Sequence, residues 1–110
     1  MTDFLNQRCT ANPGHAMSAE DVAEHLRALG GWALNAAGSI EKTFVFKNYY
    51  ETIAFVNALA WICHVEDHHP ELVVGYDRCV VRFDTHSVGG VTSNDFICAS
   101  KANALVAFAG

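Results

Sequence analysis

A chain of 110 residues has room for one hydrophobic core and no second domain, and with 51% of its residues apolar that core needs neither metals nor disulfides as staples. Seven basic residues against 12 acidic ones give a net charge of −5, and no run of Lys or Arg is present to follow a phosphate backbone, which argues against direct nucleic-acid binding. Cys9, Cys63, Cys79 and Cys98 lack the paired spacing of zinc or redox motifs. The first fifteen residues lack a basic segment followed by a long apolar one. The expectation is reduced thiols, no membrane anchor and a cytoplasmic location.

Residues 1–17, with Asn12-Pro13-Gly14, read as an irregular lead-in, and one domain is expected over 18–110. Ser18 and Asp21 form a capping-box-like pair, and Val22, Leu26 and Leu29 recur at helical spacing, so a first helix is predicted over 18–29 before Gly30-Gly31 stops it. Trp32 to Asn35 and Ile40 to Lys47 read as strands joined by a turn around Ala37-Gly38, because Phe44 and Phe46 alternate with Thr43, Val45 and Lys47. Asn48, with Glu51 three residues on, signals the N-cap of a second helix that reaches about Asp67.

That second helix is apolar almost all round. Phe55, Leu59 and Ile62 share one side, Ile53, Val56, Ala60 and Cys63 adjoin it, and Ala54, Ala58, Trp61 and Val65 continue the circuit. One small core cannot cover every side, so part of the helix is expected to pack against another subunit. After Pro70, Leu72 to Tyr76 and Cys79 to Thr85 read as a second hairpin around Asp77-Arg78. Cys79, Val81 and Phe83 point one way while Val80, Arg82 and Asp84 point the other, and His86 continues the polar side. The glycines of SVGGV make a loop, and Thr92 with Asp95 caps a last helix that runs to about Phe108. The order α-β-β-α-β-β-α predicts an α+β fold: a single antiparallel four-stranded sheet covered on one face by helices.

Four of the six histidines fall within residues 64–86. His64 and His68 stand one helical turn apart on a face shared with Asn57, Pro70 holds His69 extended, and the second hairpin can return His86 to the pair. Imidazoles titrate near pH 6.5, so several around one pocket can give and take protons at neutral pH. His15 and His25 stand apart from this group and read as structural. Zinc is the rival reading, since His64 and His68 have the i, i+4 spacing of helical ligands, but Glu66 does not follow the first histidine as the HExxH motif requires. The residues alone leave an acid/base site and a metal site both open.

The run HVEDHHPELVVGYDRCVVRFDTHSVGGVTSND resembles the signature of the pterin-4a-carbinolamine dehydratases. Gly31-Trp32, the Phe44-x-Phe46 strand and Phe55 extend the resemblance over about 18 to 106. It implies dehydration of 4a-hydroxytetrahydropterin to quinonoid dihydropterin, the step that follows aromatic amino acid hydroxylation in tetrahydrobiopterin recycling, with no metal or redox cofactor. It further implies that His68, His69 and His86 are catalytic, and that His68, His69, Pro70, Thr85, His86, Ser87 and Val88 contact the pterin. Trp32 is expected near the planar ring, whereas Tyr76 reads as a core aromatic. Asp95 is expected to orient His86 as well as to cap its helix. His64 stands where the family tends to carry an acidic residue, a supporting position for which Glu66 or Asp67 can compensate. The resemblance also implies a homodimer or homotetramer. Its alternative function is that of a protein-interaction module acting through helix 49–67, since animal relatives stabilise dimers of a homeodomain transcription factor and degenerate relatives assist assembly of a carbon-fixing enzyme.

Overall fold

Helix α1, Ala19–Leu29, starts where the Ser18 hydroxyl accepts the Asp21 N–H at 3.1 Å, with Glu20 and Asp21 placed against the positive end of its dipole. The structure is a computed structural model that describes residues 3–107. Strands β1, Ala33–Leu34, and β2, Ile40–Val45, form the first hairpin, and helix α2, Tyr49–Glu66, follows from an Asn48 cap that accepts the Glu51 N–H at 2.9 Å. Strands β3, Glu71–Val74, and β4, Arg78–Phe83, form the second hairpin, and helix α3, Ser93–Ala107, closes the fold. Phe108, the expected end of the last helix, lies outside the described residues.

The four strands make one antiparallel sheet in the order β1-β2-β4-β3, with all three helices on one face, as the alternation in β4 predicts. Ile40, Phe44, Cys79, Val81 and Phe83 turn toward the helices and are buried against Phe55 and Leu59 of α2 and Phe96, Ala99 and Ala102 of α3. On the open face the register places Glu41, Arg82 and Glu71 side by side. The Arg82 guanidinium bridges the other two at 3.0 and 2.9 Å.

One expectation needs correction. Strand β1 is two residues long because the Asn35 side chain accepts the backbone N–H groups of Ala37 and Ser39, an Asx turn that ends the strand, while Trp32 turns inward and donates to Asn103 Oδ1 at 2.9 Å. The lead-in is irregular in shape but tightly packed. Phe4 stacks on Phe96, Thr10 and Asn94 exchange two hydrogen bonds, and the Met17 N–H donates to Val91 O. Gly90 has to be glycine at this seam, since a Cβ there would lie 2.8 Å from the Ala16 Cβ. The packed unit therefore begins ahead of Ser18. His25 is held between the rings of Phe4 and Phe96, which fits its structural reading.

Candidate active site

The C-terminal end of α2 positions the first two histidines. Asp67 adopts the left-handed conformation (φ 54°), its N–H donates to His64 O, and the His68 N–H reaches back to Cys63 O. This pair of bonds is a Schellman motif, with aspartate where glycine is usual. The chain consequently leaves the helical track one residue before His68, so His64 and His68 do not share a helix face. The helical zinc spacing read from the sequence is not realised. His64 remains on α2 beside Trp61, whereas His68 turns under the sheet edge and stacks parallel on Phe83. His69 precedes Pro70 and is exposed.

The loop after β4 supplies the third histidine. Thr85 pairs with Gly90, and within that closure residues His86–Val88 form a short 3-10 turn ended by Gly89 at φ 69°, a conformation that suits glycine. His86 and Ser87 are exposed at the tip. Beneath the loop Asp95 is fully buried in the first turn of α3. Its Oδ2 accepts the Thr92 N–H and the Thr85 hydroxyl, each at 2.8 Å, and its Oδ1 lies 2.5 Å from Nε2 of His68. Asp95 thus caps its helix and orients an imidazole at once. The imidazole is His68, not His86 as the sequence suggested. With a carboxylate at Nε2 accepting the ring N–H, the free nitrogen of neutral His68 is Nδ1.

His68, His69, Pro70, Thr85, His86 and Ser87 line one open cavity of about 520 Å³. A profile of the pterin 4 alpha carbinolamine dehydratase family matches residues 15–105. The chain belongs to this family, one of hydro-lyases. A relative from Bdellovibrio bacteriovorus, provisionally named a pterin-4-alpha-carbinolamine dehydratase, is 58% identical over 94 residues, covering 82% of this chain and 78% of its own. Another of the same provisional name, from Stenotrophomonas maltophilia, is 56% identical over 101 residues, covering 89% of this chain and 87% of its own. A crystal structure described as a transcriptional coactivator/pterin dehydratase from Brucella melitensis superposes with a TM-score of 0.79 at 35% identity, covering 83% of this chain and 98% of that one.

Three residues expected at the dehydratase-family cavity, Val88, Trp32 and His64, lie elsewhere, and a fourth residue, Tyr76, is not where the sequence put it. Val88 belongs to the His86 loop but does not line the cavity, and Trp32 is a core residue bonded to Asn103. Tyr76 is 66% exposed at the β3–β4 turn instead of being a core aromatic. His64 lines a separate depression of about 340 Å³, on the other side of the Asp67–Pro70 segment. Among the described residues, no three His, Cys, Asp or Glu side chains are arranged to hold a metal ion.

The cavity also takes in Ala37, Ser39, Glu71, Arg82 and Asp84, which the sequence did not single out as site residues, and Asp67, which it offered only in place of the acidic residue that His64 replaces. Arg82 and Asp84 were signalled by the alternation that put them on the polar side of β4 with His86. Ser39 carried no signal, because it arrives from the β1–β2 turn through a pairing visible only in three dimensions. Hydrogen bonds from Asn35 and then Arg82 hold the Glu41 carboxyl, behind this wall, below its ordinary range.

Proposed function

We propose that the chain dehydrates 4a-hydroxytetrahydropterin to quinonoid dihydropterin and water by general acid/base catalysis on His68, His69 and His86, as a step of tetrahydrobiopterin recycling. The observation that carries the reading is the convergence of three imidazoles on one cavity, one of them fixed from behind by a buried carboxylate. The N5 lone pair expels the 4a-hydroxyl as one imidazolium protonates the departing oxygen, and a neutral imidazole takes the N5 proton. The step moves protons and no net electrons, so side chains alone suffice. His68, with Nε2 engaged and Nδ1 free, is suited to the base role, while exposed His69 and His86 can exchange protons with solvent between turnovers. Pro70, Thr85 and Ser87 shape the wall that the ring lies against.

Stopped-flow absorbance on freshly generated 4a-hydroxytetrahydropterin tests the assignment. Wild-type protein is expected to speed carbinolamine loss without added metal, and His68→Ala or His86→Ala to slow the catalysed step on the order of 10²- to 10⁴-fold. Equal rates for wild type and both variants overturn it.

A second reading rests on the outer face of α2, where Tyr50, Ala54, Trp61 and Val65 form an exposed apolar stripe. We infer that this stripe joins copies of the chain into a homodimer or homotetramer and offers a surface to another protein, an inference supported by its spacing of four and seven residues, which keeps its members on one helix face. The location proposed is the cytoplasm. Four free cysteines, three of them buried, suit a reducing compartment, and no helix among the described residues is long and apolar enough to cross a membrane.

A further inference from the structure

Asp84 stands on the cavity wall two residues before His86, and its neighbours leave it with unused hydrogen-bonding capacity. Its Oδ2 accepts the Ser39 hydroxyl at 2.7 Å, and among the described residues Oδ1 has no partner. Ser39 is buried, and its backbone is fixed on both sides: its N–H donates to Asn35 Oδ1 at 3.0 Å and its carbonyl accepts the Asn35 N–H at 2.8 Å. The carboxylate is therefore aimed by a serine that has little freedom to move. Glu71, on the same wall, differs, because its oxygen is already taken by Arg82, whose guanidinium is shared with Glu41. Among the described residues, no Lys or Arg is paired with Asp84.

A carboxylate with one free oxygen, and a spare lone pair on the other, matches a ligand edge that carries two neighbouring N–H donors. The 2-amino-4-oxopyrimidine half of a pterin has that edge, at its 2-amino group and N3–H. Thr85 is extended, so Asp84 and His86 lie roughly 6–7 Å apart along the backbone. That is the scale of a fused bicyclic ring whose reacting carbon faces the imidazoles. We propose that Asp84, held by Ser39, is the specificity-determining residue that recognises the 2-amino-pyrimidine edge of the substrate. This rests on the dehydratase reading above and adds to it the choice of ring.

Calorimetric titration with 7,8-dihydropterin and with 7,8-dihydrolumazine, which has an oxo group in place of the 2-amino group, tests the inference. Wild type is expected to prefer the pterin, and Asp84→Asn to reduce that preference by roughly ten- to a hundred-fold, the range for a hydrogen bond to a charged group. Ser39→Ala is expected to move the ratio the same way by a smaller factor, in protein whose melting curve remains cooperative. Asp67→Asn, altering a second carboxylate of the cavity, is expected to leave the ratio within about twofold. Carbinolamine turnover measured on the same wild-type sample separates the two levels of failure. An inactive wild type overturns the dehydratase reading and this inference with it. An active wild type, combined with an unchanged ratio in Asp84→Asn or a collapsed ratio in Asp67→Asn alone, overturns this inference and leaves the dehydratase reading standing.

Discussion

Asp95 does two jobs with one side chain, and its two oxygens divide them. Oδ2 is committed to the Thr92 N–H and the Thr85 hydroxyl, which cap α3 and tie the His86 loop down. Oδ1 is committed to His68. Asp95→Ala removes both acceptor oxygens, and with them three hydrogen bonds, from a buried site and is expected to cost about 2–4 kcal/mol in urea denaturation along with the activity. Asp95→Asn separates the roles. Its amide oxygen can still serve Thr92 and Thr85, but its NH2 group now faces Nε2 and selects the tautomer with the hydrogen on Nδ1. Most of the stability should survive, while carbinolamine dehydration falls on the order of 10²-fold or more, as when a triad imidazole is held in the wrong tautomer. Equal activity of Asp95→Asn and wild type in stopped-flow assays would refute the orienting role. The sequence points to this carboxylate but to a different imidazole, because the turn that brings His68 over Asp95 is made by an aspartate in a left-handed conformation. No glycine marked the place.

At the scale of elements, the histidine-bearing end of α2 is anchored by charge. Glu66, buried beside the cavity segment, receives Lys101 Nζ of α3 at 2.6 Å, the Cys9 N–H at 2.8 Å and Arg8 Nε at 2.9 Å. Burial resists its charge, but the hydrogen bonds from Lys101, Cys9 and Arg8 together overcome that and hold the carboxyl down at about 2. Since an unfolded glutamate titrates near about 4.3, this folded value is depressed. The charged form therefore favours the fold above about pH 4.3, and the contribution is lost as pH falls toward 2. The separation corresponds to about 3 kcal/mol. Glu66→Gln should remove that pH dependence, so that urea midpoints of wild type and variant, far apart at pH 6, draw together as pH falls below about 4, with roughly half of the gap left at about pH 3. Parallel curves across that range would contradict the anchoring. Capping residues made α1, α2 and α3 legible to within about a residue at their starts, and alternation showed which face of β4 is inner. The packing of residues 3–17 was not legible, because Phe4, Cys9 and Thr10 show no periodicity and gain their partners 57 to 92 positions away.

For the whole molecule, the question is what lies against the outer face of α2. Thr52, Phe55, Leu59, Cys63 and Glu66 face the core, and they use up the one side a sheet can cover. The opposite side keeps Tyr50 at 81%, Trp61 at 67% and Val65 at 47% exposure, all on one helix face. The all-round apolar character of this helix, legible from sequence, is thus accounted for on its inner half only. Solitary exposed apolar residues are common, but Tyr50, Ala54, Trp61 and Val65 on one face of an 18-residue helix signal a protein surface. Trp61→Glu places a charge in the middle of that face and touches nothing in the core, so the chain should fold as before. Light scattering after size exclusion should find wild type at two or four times the chain mass and Trp61→Glu shifted toward one. The cavity that holds His68, His69 and His86 is formed within one chain, so dehydration by the dissociated variant should persist at a rate within a few fold of wild type. A monomeric wild type at micromolar concentration would remove self-association as the reason for the stripe, leaving a different protein as its partner.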